Sequence, residues 1–141
     1  MIRSSLIWVD MQVHHIGYLV KRIKDSEEAL SLLGFTCERA AEFDPIRNAT
    51  LSFWVNGSER IELVEPADDS DLKPLLKKYK NSPYHICFLA DSLEQAKAEF
   101  EAKGFVLFKN IELAPCLDGR RVVFLMSPGC GIVEIADKEP V

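Results

Sequence analysis

Val13-His14-His15-Ile16-Gly17-Tyr18-Leu19-Val20 decides how this chain is read, because its pattern returns at Tyr84-His85-Ile86-Cys87-Phe88-Leu89-Ala90. A shift of 70 lays His15-Ile16 on His85-Ile86, Tyr18 on Phe88 and Leu19 on Leu89. The same shift lays Gly34-Phe35 on Gly104-Phe105, so both copies carry Gly-Phe 19 residues after the His. A second pair, Arg60-Ile61-Glu62-Leu63 and Ile132-Val133-Glu134-Ile135, recurs at an offset of 72. Each half opens on a strand with a His and closes on a strand with a Glu.

Val13–Val20 has the β-branched and aromatic content of a strand. Successive strand residues face opposite sides. His15, Gly17 and Leu19 therefore share one face, and His14 is expected on the other. Asp25-Ser26-Glu27-Glu28 has the form of a capping box with Asp25 as N-cap, followed by a helix that Gly34 stops. Phe35–Phe43, Thr50–Val55 and Arg60–Val64 read as strands, with a loop at Asp44–Asn48 and a tight turn at Asn56-Gly57. This gives β-α-β-β-β.

The second half repeats the order. A strand at Tyr84–Ala90 leads into a helix capped by Asp91 or Ser92 and ending at Gly104. Phe105–Phe108, Arg120–Met126 and Ile132–Ala136 read as strands, and Ile111–Leu117 as a loop around Pro115. The expected organisation is an N-terminal extension at 1–10, a module at 11–66, a linker at 67–83, a second module at 84–137 and a tail at 138–141. The linker carries a short helix over Leu72–Tyr79, with Pro74 in its first turn. The fold class is α+β: two pseudo-twofold βαβββ modules forming an open, barrel-like cleft with helices on the convex side.

Composition narrows the function. The 141 residues are 48% apolar, enough for one real core. A net charge of −5 argues against a nucleic-acid partner, which needs a basic face. Cys37, Cys87, Cys116 and Cys130 form no C-x-x-C pair and read as free thiols of a cytoplasmic protein. No apolar run reaches the roughly 20 residues of a membrane span. Leu6-Ile7-Trp8-Val9 is too short for a signal-peptide core, and Met11 is an alternative start.

If the first and last strands of each half lie side by side, His15 and Glu62 point into one concave face, and His85 and Glu134 into the other. The pseudo-twofold then brings both pairs together. Two imidazoles and two carboxylates suit one divalent metal: Zn, Ni, Co, Mn or Fe(II). A lone His on an apolar strand is usually a plain core or surface residue. Repetition in matching slots of both halves is what favours a ligand set.

His14-His15-Ile16-Gly17, Ile61-Glu62-Leu63-Val64-Glu65-Pro66, Tyr84-His85-Ile86-Cys87 and Ile132-Val133-Glu134-Ile135 resemble the vicinal-oxygen-chelate superfamily. That superfamily includes glyoxalase I, methylmalonyl-CoA epimerase, extradiol dioxygenases and bleomycin-binding proteins. The likeness runs from Met11 to about Asp137 and is strongest to the epimerase and glyoxalase I branches. It implies one divalent metal (Zn, Ni, Co or Mn) held by His15, Glu62, His85 and Glu134, and a homodimer. It also implies a metal-dependent isomerase or lyase that abstracts a proton next to a carbonyl through an enolate. Glu134 is then the principal base and Glu62 its counterpart. The substrate is an acyl-CoA, as in methylmalonyl-CoA epimerase, or the glutathione hemithioacetal of a lactoylglutathione lyase. A non-catalytic binding protein on the same fold is the alternative.

Some epimerases carry a further acid on the strand that here reads Thr50-Leu51-Ser52-Phe53; this chain has none, and Glu42 and Asp44 are the nearby acids. Arg47, Arg120 and Arg121 are candidate anchors for an anionic substrate tail. Phe53, Trp54, Phe124 and the loops near Pro45 and Pro115 are the expected pocket walls.

Overall fold

A computed structural model describes residues 11–140. The extension expected at 1–10 therefore lies outside the described residues, as does Val141. The order is β1 (Met11–Leu19), α1 (Ile23–Leu32), β2 (Thr36–Asp44), β3 (Ala49–Asn56), β4 (Glu59–Pro66) and α2 (Lys73–Tyr79). There follow β5 (Ser82–Ala90), α3 (Leu93–Ala102), β6 (Val106–Ala114), a 3₁₀ turn at Pro115–Leu117, β7 (Arg120–Ser127) and β8 (Gly131–Asp137). The eight strands form one mixed sheet, β2-β3-β4-β1-β5-β8-β7-β6, curled into a half-barrel. The fold is α+β, as the βαβββ repeat predicts.

The repeat explains the topology. β1 pairs parallel with β4, β5 pairs parallel with β8, and the two His strands meet antiparallel at the centre. Alternation on each strand then sorts its side chains. Ile61 and Leu63 of β4 pack outward with Ile23 and Leu30 of α1. Val133 and Ile135 of β8 pack outward with Leu93 and Ala96 of α3. Leu19, Leu51, Val64, Val122 and Ala136 fill the concave side. Each such side chain is worth roughly 1.5–3 kcal/mol when fully buried, Ala less. The linker helix α2 packs its Leu76 into this inner cluster.

Two local readings are corrected. Helix α1 starts at Ile23 with Arg22 as N-cap and no side-chain cap of its own. Asp25 therefore lies inside the first turn rather than capping it. Glu65 on β4 accepts from the Ile23 N–H at 2.7 Å instead, a cap that only tertiary packing supplies. The loop expected at Ile111–Leu117 is mostly strand. β6 continues to Ala114, and its register with β7 shifts between Leu107 and Glu112. An irregular register lets pairing survive past Lys109-Asn110, where the sequence signal stops. Ser92, by contrast, caps α3 as expected, its Oγ accepting from the Gln95 N–H at 3.2 Å.

Candidate metal centre

His15 on β1 and His85 on β5 face each other across the central strand pair, their Nε2 atoms 3.2 Å apart. Glu62 stands opposite Gly17 on β4, and Glu134 opposite Cys87 on β8, so the two halves present their carboxylates in matching positions. His15 Nε2 lies 3.3 Å from Glu62 Oε1 and 3.2 Å from Glu134 Oε1. His85 Nε2 lies 3.5 Å and 3.1 Å from the same two oxygens. All four side chains are 0% exposed. The structure brings together the four residues that the repeat singles out.

The donor set fits a divalent cation. Two imidazole nitrogens and two carboxylate oxygens lie within 4.8 Å of one another, the donor types that zinc-like ions take. Glu62 Oε1 and Glu134 Oε1 are buried without a hydrogen-bond partner among the described residues. An isolated buried carboxylate oxygen costs several kcal/mol, of order, unless a cation or donor faces it.

Gly17 is required by close approach. A Cβ there would stand 2.1 Å from His85 Cε1. The His85 ring cannot yield freely, being edge-on to Tyr84 at 4.5 Å and to Phe124 at 5.4 Å. Gly17→Ala should therefore cost about 1–3 kcal/mol by overpacking and weaken metal binding by turning His85 aside. Thermal denaturation and a metal titration check both. A variant with unchanged metal affinity would show that the ring can relocate without loss.

Arg47 is the residue whose place the sequence reading missed. It was a candidate anchor for a substrate tail, but its side chain is only 4% exposed and faces inward. Its Nη2 donates to Glu134 Oε2, and Nη1 lies 3.7 Å from Glu62 Oε2. Its guanidinium stacks 5.1 Å from the Phe124 ring centre. Asp44 builds the turn that aims it, accepting from the Ile46 and Arg47 N–H groups at 2.9 and 3.2 Å. Asp44, expected to open the loop, is the buried last residue of β2. Burial alone would raise the Glu134 pKa; Arg47, His15 and His85 overcome this and hold it well below the ordinary range. Glu62 is also lowered, by His15 and Arg47 against burial. Arg47 thus grips the two glutamates unequally.

A cleft of about 400 Å³ adjoins the centre, lined by His14, Glu38, Arg39, Phe53, Arg60, Cys116, Leu117, Asp118 and Arg120. Phe53 separates it from His15, the rings 5.3 Å apart. Its arginines are paired: Arg60 with Glu38, Arg39 with Glu42 and Asp118, and the candidate anchor Arg120 with Asp118 at 3.7 Å and the Leu117 carbonyl at 3.2 Å. Arg121 is elsewhere, held by Asp137 and Glu94. Trp54 is no wall of this cleft. It lies one residue out of phase with Phe53 and packs outward against the α1 cluster, its indole N–H 3.3 Å from Glu27.

His14 does not face away from His15. Val13 pairs with Phe88 and His15 with Cys87, so β1 spends an extra residue there. That bulge breaks the alternation and turns His14 to the concave side, its Nδ1 2.8 Å from His15 Nδ1.

Residues 14–124 match the family model described as the glyoxalase/bleomycin resistance protein/dioxygenase superfamily. A hypothetical protein of Bacillus halodurans C-125 has a similar structure, with a TM-score of 0.79 and 25% identity over 93% of this chain and 96% of that one. Methylmalonyl-CoA epimerase from Mycobacterium tuberculosis has a TM-score of 0.75 and 17% identity, over 99% and 94%. A Streptomyces coelicolor methylmalonyl-CoA epimerase in complex with 2-nitronate-propionyl-CoA has a TM-score of 0.76 and 20% identity, over 92% and 96%. No curated protein sequence matches this chain. No helix among the described residues is long and apolar enough to cross a membrane. A match spanning most of the chain, on the fold just described, places it: the chain belongs to the glyoxalase/bleomycin resistance protein/dioxygenase superfamily.

Proposed function

We propose that this protein is a metal-dependent isomerase or lyase that removes a proton next to a carbonyl, with epimerase-like acyl-CoA chemistry ahead of glyoxalase-like chemistry. The observation that carries the reading is the convergence of His15, Glu62, His85 and Glu134 beside a cleft of about 400 Å³. Methylmalonyl-CoA epimerases of similar fold have been crystallised with acyl-CoA ligands, which supports the substrate lean. A divalent metal bound by the four residues supplies Lewis-acid polarisation of the substrate carbonyl.

The protein's own groups then divide the work. Arg47 fixes Glu134, leaving Oε1 aimed at the histidines. A carboxylate gripped by a buried guanidinium is a weak base. The principal base assigned to Glu134 on sequence grounds therefore passes to Glu62 in this proposal, since Arg47 stands 3.7 Å from it and neither of its oxygens has a hydrogen-bond partner among the described residues. The carbon-bound proton moves to a Glu62 oxygen, and the C–H electron pair passes into the carbonyl. Inversion of the carbon then requires the planar intermediate to turn its other face to Glu62 before the proton returns; return of the proton to the neighbouring carbon isomerises the substrate. Phe53 and Phe124 keep the centre dry, which strengthens every charge interaction there.

The test is hydrogen exchange. Metal-loaded protein is incubated in heavy water with methylmalonyl-CoA and, separately, with the methylglyoxal–glutathione hemithioacetal. Deuterium is expected at the carbon next to the thioester carbonyl of the acyl-CoA. Exchange in the hemithioacetal alone would move the assignment to the lyase. Exchange in neither would point to a binding protein on this fold.

A further inference from the structure

We infer that His14 is a positioning residue of the metal centre: it accepts the Nδ1–H of His15 and so fixes the tautomer that leaves Nε2 free for a metal. The inference rests on the metal-centre reading of His15. A neutral imidazole has one donor nitrogen and one acceptor nitrogen. His15 Nε2 faces Glu62, His85 and Glu134, so a ligating lone pair must be there and the proton must sit on Nδ1. His15 is buried, and a buried N–H needs an acceptor.

Among the described residues His14 and Cys87 cluster with His15, one ligand atom of each within 4.8 Å of the others. A thiol sulfur is a weak acceptor. His14 Nδ1 stands at 2.8 Å, with the two rings nearly perpendicular at 82°. The placement is built rather than incidental. The bulge at Val13–His15 turns the ring inward, and Arg60 Nη1 donates to the His14 carbonyl at 3.0 Å, holding the bulged backbone. Phe53 packs edge-on against both histidine rings.

The pseudo-twofold makes the device visible by its absence on the other side. The repeat lays Tyr84 on His14, and His85 Nδ1 has no hydrogen-bond partner among the described residues. The two histidine ligands are therefore unequal, and His15 is the oriented one. His14 also lines the cleft, so an occupant there would touch the group that orients His15.

Zn²⁺ affinity measured against a chromophoric chelator tests this without any turnover. His14→Ala should bind Zn²⁺ about 10–100-fold more weakly than wild type, the usual cost of losing such a partner. His14→Asn places an amide oxygen near the lost Nδ1 and should recover most of that loss. In the Zn²⁺-loaded wild type, NMR should find a slowly exchanging proton on His15 Nδ1, absent from His14→Ala. Unchanged affinity in His14→Ala would overturn the inference. So would equal weakening in His14→Ala and His14→Asn with matching losses of thermal stability, which would mark a packing role. Failure of wild type itself to bind Zn²⁺, Ni²⁺, Co²⁺ or Mn²⁺ would overturn the centre and this inference together, and is told apart by wild type then matching His15→Ala.

Discussion

Metal-free Arg47→Met protein is expected to be about 3–5 kcal/mol less stable than metal-free wild type, the usual cost of removing one member of a buried ion pair. For a chain of this size that lowers the melting temperature by roughly 10–17 °C. The physical cause is the pair of buried carboxylates, Glu62 and Glu134, for which Arg47 is the buried guanidinium counter-cation. Methionine keeps the length and the contact with Phe124 but removes the charge. Added divalent metal should restore much of the loss, because it replaces one positive charge with another and binds the folded state. At 100 times the dissociation constant, binding alone contributes about 2.7 kcal/mol. The pH dependence has a definite sign. Both carboxylates have depressed folded pKa values, so their contribution is present above the unfolded value of about 4.3 and lost as pH falls through the folded values. The gap between wild type and variant should close in acid. Denaturant melts with and without metal, at neutral pH and near pH 3, measure all of this. A metal-free Arg47→Met protein as stable as wild type at neutral pH would mean that the carboxylates are neutralised some other way.

Glu62→Gln should lower the rate of substrate proton exchange by about 10²–10⁴-fold, the range for loss of a general base. Metal content should fall much less, because the amide oxygen still coordinates and the other three ligands remain. Glu134→Gln should behave differently. It breaks the charge pair with Arg47 and leaves a buried guanidinium facing an amide, so its main deficits should be in stability and metal retention. Measuring metal content, melting temperature and deuterium incorporation on both variants separates the roles. A fully active Glu62→Gln protein would remove Glu62 from proton transfer. A Glu134→Gln protein that keeps its metal and loses only turnover would return the base role to Glu134.

The sequence by itself determined the repeat, and through it the strands that carry His15, Glu62, His85 and Glu134. Pattern suffices there, because a regular strand alternates sides and two copies of one module meet about a pseudo-twofold. The outward helices α1 and α3 were legible for the same reason. Only the tertiary structure decided the rest. His14 faces the centre because β1 pairs with β5 out of step, and a bulge belongs to two strands some 70 residues apart, so neither strand encodes it alone. Glu65 caps α1 from 42 residues away. Arg47 reads locally as a polar turn residue after Asp44-Pro45. It becomes the counter-charge of the site because curling the sheet brings it to Glu134, 87 residues on, and burial leaves a carboxylate no cheaper partner than a guanidinium.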